Sequence, residues 1–224
     1  MENNNLKFDY LKGNLNNDIN LVFIHGSGCD KRFLKELAAQ IDMYNCYLLD
    51  LPGHGESNDT GYNFNNYVDS VCNFIKNLNN VILIGHSLGG TIVLQVLSKN
   101  FSNIRGAVVL NTASSFYKLD KEFMKKIHNG IVDMDYLMEC GGQSSDAVVL
   151  EAMSNMDSET LIEDFLIDEV VDVESCLKDI NVPLVIVTGG DEILALVEYS
   201  EHLHEMIKQS EMIIIPNTRH MLPI

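Results

Sequence analysis

The sequence predicts an α/β domain: a mostly parallel sheet with helices on both faces and a helical insertion late in the chain. Three observations carry this expectation. Short runs of Val, Ile and Leu alternate with stretches of helical spacing between residues 19 and 110. One of those runs, Val81-Ile82-Leu83-Ile84, passes through Gly85-x-Ser87-x-Gly89 directly into an apolar helix. The rhythm then stops over residues 112–181 and resumes at Val182.

Taken in order, Leu6-x-Phe8-x-Tyr10 alternates as a strand, and residues 13–17 read as a turn. Residues 19–24 are an apolar run suited to a central strand, ending in the small-residue loop His25-Gly26-Ser27-Gly28. Helical spacing follows over 31–43, through Phe33, Leu34, Leu37, Ala38 and Ile41. Residues 46–49 form another short strand, which closes on the turn formers of Asp50-Leu51-Pro52-Gly53-His54-Gly55-Glu56-Ser57. A helix over 63–78 leads into the run at 81–84, and after the next helix residues 106–110 supply a further strand.

Residues 112–181 hold sixteen of the 32 acidic residues, yet apolar side chains still recur at helical spacing, among them Met124, Ile127, Ile131, Leu137 and Met138. A disordered linker has no use for such side chains. The segment is therefore expected to be an inserted cap, dividing a core of 1–111 and 182–224 from a cap of 112–181. Strand 182–187, a helix through Tyr199 and Leu203, and strand 212–215 complete the chain.

At 224 residues there is room for one such domain with a sizeable core. No apolar run reaches the length of a membrane span, and the N-terminus is polar with no signal-peptide pattern. Five widely spaced cysteines without a C-x-x-C pair point to free thiols in a reducing cytoplasm. A net charge of −17 argues against nucleic acid or an anionic membrane as partner. Neither a dinucleotide or P-loop pattern nor a metal-ligand spacing is present, so no metal and no cofactor is expected.

Gly85-x-Ser87-x-Gly89 between strand and helix fits a nucleophile elbow, a turn so sharp that the serine takes strained dihedrals and presents its hydroxyl. With His25-Gly26 after a strand, Asp50-x-Pro52-Gly53-x-Gly55-x-Ser57, and an acid-then-His ending, four separated signatures resemble the α/β-hydrolase superfamily, in its order along the chain. Among its members the chain is most similar to small bacterial esterases and lipases. The resemblance implies the α/β-hydrolase fold, with Ser87 as nucleophile and His220, just beyond the last strand, as base. For the orienting acid, the family's G-x-x-D turn aligns Gly189 with its glycine and Glu192 with its aspartate. Asp191 has the commoner residue type one position earlier, and both are carried forward. The resemblance also implies oxyanion donors from the main-chain N–H groups of Ser27 and Leu88, with His25, Gly26 and His86 shaping the substrate site. Members usually continue past the histidine into a last helix, whereas this sequence stops four residues after His220. Truncation, or cover from a partner subunit in a homodimer, is the corresponding expectation.

The expected activity is hydrolysis of carboxylic esters with small, mainly neutral acyl groups, the partner being a small-molecule ester. A thioesterase or a carbon–carbon bond hydrolase would use the same side chains, and a ligand-binding relative with weak turnover would keep the same pocket.

Overall fold

The structure, a computed structural model, describes residues 6–15, 18–142, 151 and 154–223. Seven strands form one sheet in the order β1-β3-β2-β4-β5-β6-β7. They are β1 (Phe8–Leu11), β2 (Asn20–Ile24), β3 (Asn45–Leu49), β4 (Val81–His86), β5 (Ile104–Leu110), β6 (Leu184–Gly189) and β7 (Ser210–Ile215). Only β1 runs antiparallel, against β3. Central β2 is buried at all five positions, as a parallel strand covered on both faces should be. Edge strand β1 instead alternates between exposed and half-buried residues.

On one face of the sheet pack α2 (Phe64–Ile75) and α3 (Leu88–Leu97), with Tyr67, Val71, Ile75, Ile92 and Leu94 in a continuous core. Helix α7 (Val197–Met206) adds Tyr199 and Leu203 to it. The other face is covered only in part, leaving Ile213 and Ile215 of β7 exposed, by α1 (Lys35–Gln40) and by the helices inserted between β5 and β6. Those are α4 (Lys121–His128), α5 (Met134–Gly141) and α6 (Ser158–Val170), followed by a 3₁₀ turn at Glu174–Asp179. Phe123, Met124, Ile127, Leu161 and Phe165 from these helices meet Phe23, Leu48 and Ile84 of the sheet. Part of the stretch read as a cap, residues 143–150 and 152–153, lies outside the described residues.

Two expectations shift. Helix α1 is shorter than the 31–43 that its spacing allows, since residues 31–34 turn through i→i+3 contacts, Phe33 N–H to Asp30 O and Lys35 N–H to Arg32 O. Lys31 N–H donates to the Asp50 carboxylate at 2.8 Å and Arg32 N–H to the Asp30 carboxylate at 2.8 Å. Ile131, counted with the apolar stripe, is 55% exposed.

The strand order also fixes where a site can form. β3 lies on one side of β2 and β4 on the other, so the connections leaving β2 and β4 diverge at their C-terminal ends. Such a switch point opens a crevice beyond the strand ends. The loop starting at His25 and the turn at Ser87 both emerge there, with Ile24 and Gly85 in register.

Candidate active site

Ser87 stands between β4 and α3 at φ 52° and ψ −124°. For a side-chain-bearing residue this conformation costs of order 1–3 kcal/mol and persists only when its surroundings enforce it. The enforcement is visible. Ser87 N–H donates to Leu110 O at 3.0 Å, and Ser87 O accepts from Gly90 N–H at 2.8 Å and the Thr112 hydroxyl at 2.7 Å. A Cβ on Gly85 would lie 2.4 Å from Gly89 O, and one on Gly89 would lie 2.3 Å from Ile24 O. Backbone meets backbone at both places, so neither glycine can be replaced without moving the sheet.

His220 follows β7 and is held through its main chain. Its N–H donates to Cys140 O at 3.0 Å, and its carbonyl accepts from His86 Nε2 at 2.9 Å and Asn111 Nδ2 at 3.0 Å. Its ring Nδ1 lies 2.8 Å from Glu192 Oε2. A carboxylate only accepts, so Nδ1 carries a proton in this contact and Nε2, the ring's other nitrogen, is able to hold a lone pair. The other oxygen, Glu192 Oε1, accepts from Ile193 and Leu194 N–H, both at 2.9 Å, which locks the buried carboxylate in place. Asp191 is exposed, and its N–H donates to Thr218 O at 3.0 Å. Of the two carboxylates that the sequence offers, the one on His220 is that of Glu192.

Ser87 and His220 line one cavity, together with Gly26, Ser27 and His86. Its remaining wall is largely apolar, including Phe33, Leu137, Met156, Leu161, Phe165 and Met221. Gly26 lies tight against Ser87, since a Cβ there would be 2.9 Å from Ser87 Cβ. Leu88 is the first residue of α3, where main-chain N–H groups have no partner within the helix. Cys29 and Cys140 also reach the cavity, but burial pushes both thiols up, Cys140 to about 12. Both are protonated at neutral pH and make poor nucleophiles.

The expected shaping residues divide. His86 lies between Phe33 and His220, with ring centroids at 4.9 Å and 4.8 Å, and burial followed by the neighbouring His220 holds it well below the usual histidine range. It is neutral and donates from Nε2 to His220 O. His25 instead braces its own turn. Its Nδ1 donates to Gly26 O at 2.9 Å, while Nε2 accepts from Leu51 N–H at 3.2 Å. That tautomer is neutral, in agreement with a pKa of about 4 imposed by burial and then by His54.

Two groups escaped the sequence reading. Asn111, the residue after β5, ties the ends of three elements. It donates to Arg219 O and His220 O, and its Oδ1 accepts from Gly189 N–H at 2.8 Å. The second is a buried polar cluster carried by α6. His54 places Nδ1 at 3.0 Å from Pro52 O and Nε2 at 2.8 Å from Asp164 Oδ2. Both are acceptors, so His54 is an imidazolium. Burial opposes that charge, but the Asp164 carboxylate outweighs it and raises the pKa. Asp164 further accepts from Tyr67 OH at 2.8 Å and Gly28 N–H at 3.0 Å. One turn on, Asp168 Oδ2 accepts from the Ser27 hydroxyl at 2.7 Å. The only hint in the sequence was two acids four apart among apolar neighbours in the most acidic segment.

Burial pushes the Asp168 carboxyl up to about 8; the Ser27 hydrogen bond opposes the shift and the charge on Asp164 adds to it. In the unfolded chain an aspartate titrates at about 3.9, so folding takes up a proton between about pH 4 and about pH 8. The Asp168 contribution to stability therefore falls as pH rises through that window. Asp168→Asn removes the titration. Its unfolding free energy relative to the parent should climb from about pH 4 to about pH 8 and then level off. Urea unfolding at five or six pH values reads this directly, and a constant difference would contradict a neutral buried Asp168.

Comparison with known proteins agrees with this fold. A family model described as "Alpha/beta hydrolase family" matches residues 21–224. The crystal structure of a lipase-esterase related protein from Clostridium acetobutylicum superimposes with a TM-score of 0.92 at 37% identity, covering 97% of this chain and 93% of that one. A pimeloyl-acyl-carrier-protein methyl ester esterase of Shewanella woodyi is 29% identical over 102 residues, which are 46% of this chain and 39% of that protein. The 2-succinyl-6-hydroxy-2,4-cyclohexadiene-1-carboxylate synthase of Escherichia coli is 32% identical over 92 residues, 40% of this chain and 36% of that protein. The matched stretches thus span under two fifths of the length of these curated relatives. With the family model extending over nearly the whole sequence, the chain belongs to the alpha/beta hydrolase family.

Proposed function

We propose that this chain is a serine hydrolase of carboxylic esters with small, neutral acyl groups. The observation that carries the reading is Ser87, held at a strained elbow, sharing an apolar-walled cavity with a histidine whose Nδ1–H is fixed on Glu192. A serine hydroxyl is a weak nucleophile until a base takes its proton. His220 Nε2 is the free lone pair in the cavity. As Ser87 Oγ bonds to the carbonyl carbon, its proton passes to His220, and the carbonyl electrons move onto oxygen. The Ser27 and Leu88 N–H groups receive that negative charge, each such donor being worth about 3 kcal/mol. His220 returns the proton to the departing alkoxide, which leaves as the alcohol. Water activated by the same histidine then releases the acid from Ser87. Glu192 holds the imidazole and balances its charge without itself being protonated.

The names of the relatives support ester cleavage as the reaction. The similarity to a cyclohexadiene-carboxylate synthase gives a second reading, in which the same side chains act at a carbon–carbon bond. The free cysteines suit a reducing compartment, and we place the protein in the cytoplasm.

The cavity wall sets the substrate. Leu137, Met156, Leu161, Phe165 and Met221 offer an apolar surface, which gains about 0.8 kcal/mol per buried methylene. The strongly acidic chain repels an anionic acyl group at low ionic strength. In a panel of p-nitrophenyl esters, short to medium neutral acyl groups should outrun dicarboxylate half-esters of equal length, with the gap narrowing as salt is raised. Faster turnover of the anionic esters at low salt would contradict this account, and no turnover of any ester would favour the carbon–carbon reading.

A further inference from the structure

The turn that carries the Ser27 N–H has one outer wall, helix α6. Gly28 stands at φ +67°, and a Cβ on it would lie 2.6 Å from Leu161 Cβ. One helical turn further along, Asp164 takes the Gly28 N–H, and the Asp168 carboxyl takes the Ser27 hydroxyl at 2.7 Å. Residues four apart lie on one helix face, so both carboxyl groups reach the same turn from the same side. The Ser27–Asp168 contact is buried, with Asp168 2% and Ser27 9% exposed. Burial makes this polar contact directional, since a hydroxyl without its acceptor would lose a hydrogen bond that water cannot replace.

We propose that Asp168 is a positioning residue for ester hydrolysis: through the Ser27 hydroxyl it holds the Ser27 main-chain N–H at the place where the oxyanion forms. The inference rests on the serine-hydrolase reading above. It adds that the inserted helix α6 helps set the catalytic geometry as well as walling the pocket. Asp164 has a different task. Its carboxylate is shared among Gly28, Tyr67 and the His54 imidazolium, so it ties the turn to α2 and to the 52–54 loop. Asp168 has the Ser27 hydroxyl on one oxygen, while its Oδ1 has no partner among the described residues. Among those residues, the Asp168 carboxyl is thus committed to the oxyanion turn alone.

An N–H displaced from the forming oxyanion stabilises the transition state less and changes substrate binding little. The signature is therefore a fall in kcat with KM held. The experiment measures kcat and KM for p-nitrophenyl butyrate with the parent, Asp168→Ala, Ser27→Ala, the double variant and Asp168→Asn. Active sites are counted by a fluorophosphonate probe, and folding is checked by thermal unfolding. Ser27→Ala keeps the main-chain N–H and removes only the tether. Each alanine variant should lose about 10- to 100-fold in kcat with KM within about threefold. The double variant should lose no more than either single, because both remove one contact. Asp168→Asn, whose amide oxygen accepts the same hydroxyl, should return to within about threefold of the parent. Parent-like kcat in folded Asp168→Ala, additive losses in the double variant, or an Asn variant as slow as Ala would each overturn the proposal. Absence of probe labelling at Ser87 in the parent would overturn the serine-hydrolase reading and this inference with it. Labelling with an unaffected Asp168→Ala overturns this inference alone.

Discussion

Ser87→Ala should lower ester hydrolysis by about 10⁴-fold or more, to the rate set by binding and oxyanion donors alone. The alanine keeps the elbow, because what fixes the backbone there is Leu110 O, Thr112, and the glycines at 85 and 89, none of which touches the hydroxyl. Stability should hold or rise slightly as a result. The variant should also lose all fluorophosphonate labelling, which the parent should show as a mass increment on the peptide containing Ser87. His220→Ala should be nearly as severe, since members of a catalytic unit do not contribute separately. Parent-level hydrolysis of p-nitrophenyl acetate by Ser87→Ala would rule out the proposed nucleophile.

Glu192→Gln should have the second largest effect. The amide can keep one hydrogen bond to His220 Nδ1, but it can present an N–H instead, which favours the wrong tautomer and removes the charge that balances the imidazolium. Replacing the orienting carboxylate of a serine protease by its amide costs about 10⁴ in kcat, and a drop of that order is expected here. Asp191→Asn changes an exposed carboxylate and should stay within about threefold of the parent. The pair of kcat values discriminates the two acids without any assumption about substrate. Comparable losses in both variants would mean that the His220–Glu192 contact is not the one that catalysis uses. Glu192→Asp adds a length test. Its shorter arm would have to give up either His220 or the Ile193 and Leu194 amides, because the present carboxylate spans both.

The sheet, the helix order and the elbow were all legible in the residues alone. Those depend on local periods and on glycine spacing: an all-buried run such as 20–24 suits only a central strand, and Gly85-x-Ser87-x-Gly89 leaves the chain little other way to turn from β4 into α3. The resemblance to the family's G-x-x-D turn narrowed the acid to two neighbours. Choosing between them needed the tertiary structure, because adjacent residues in a turn point in different directions and only the approach of the loop after β7 shows which carboxylate meets Nδ1. The same holds for His54, which reads as a residue in a glycine-rich turn until Asp164 arrives from 110 positions away and makes it a buried cation. Ser27 and Asp168 are 141 positions apart, and nothing in either local sequence marks them as a pair. Hydrogen bonds between elements remote in sequence leave no period and no spacing behind. They are decided by how the inserted helices settle on the sheet, and that packing is where this site acquires its geometry.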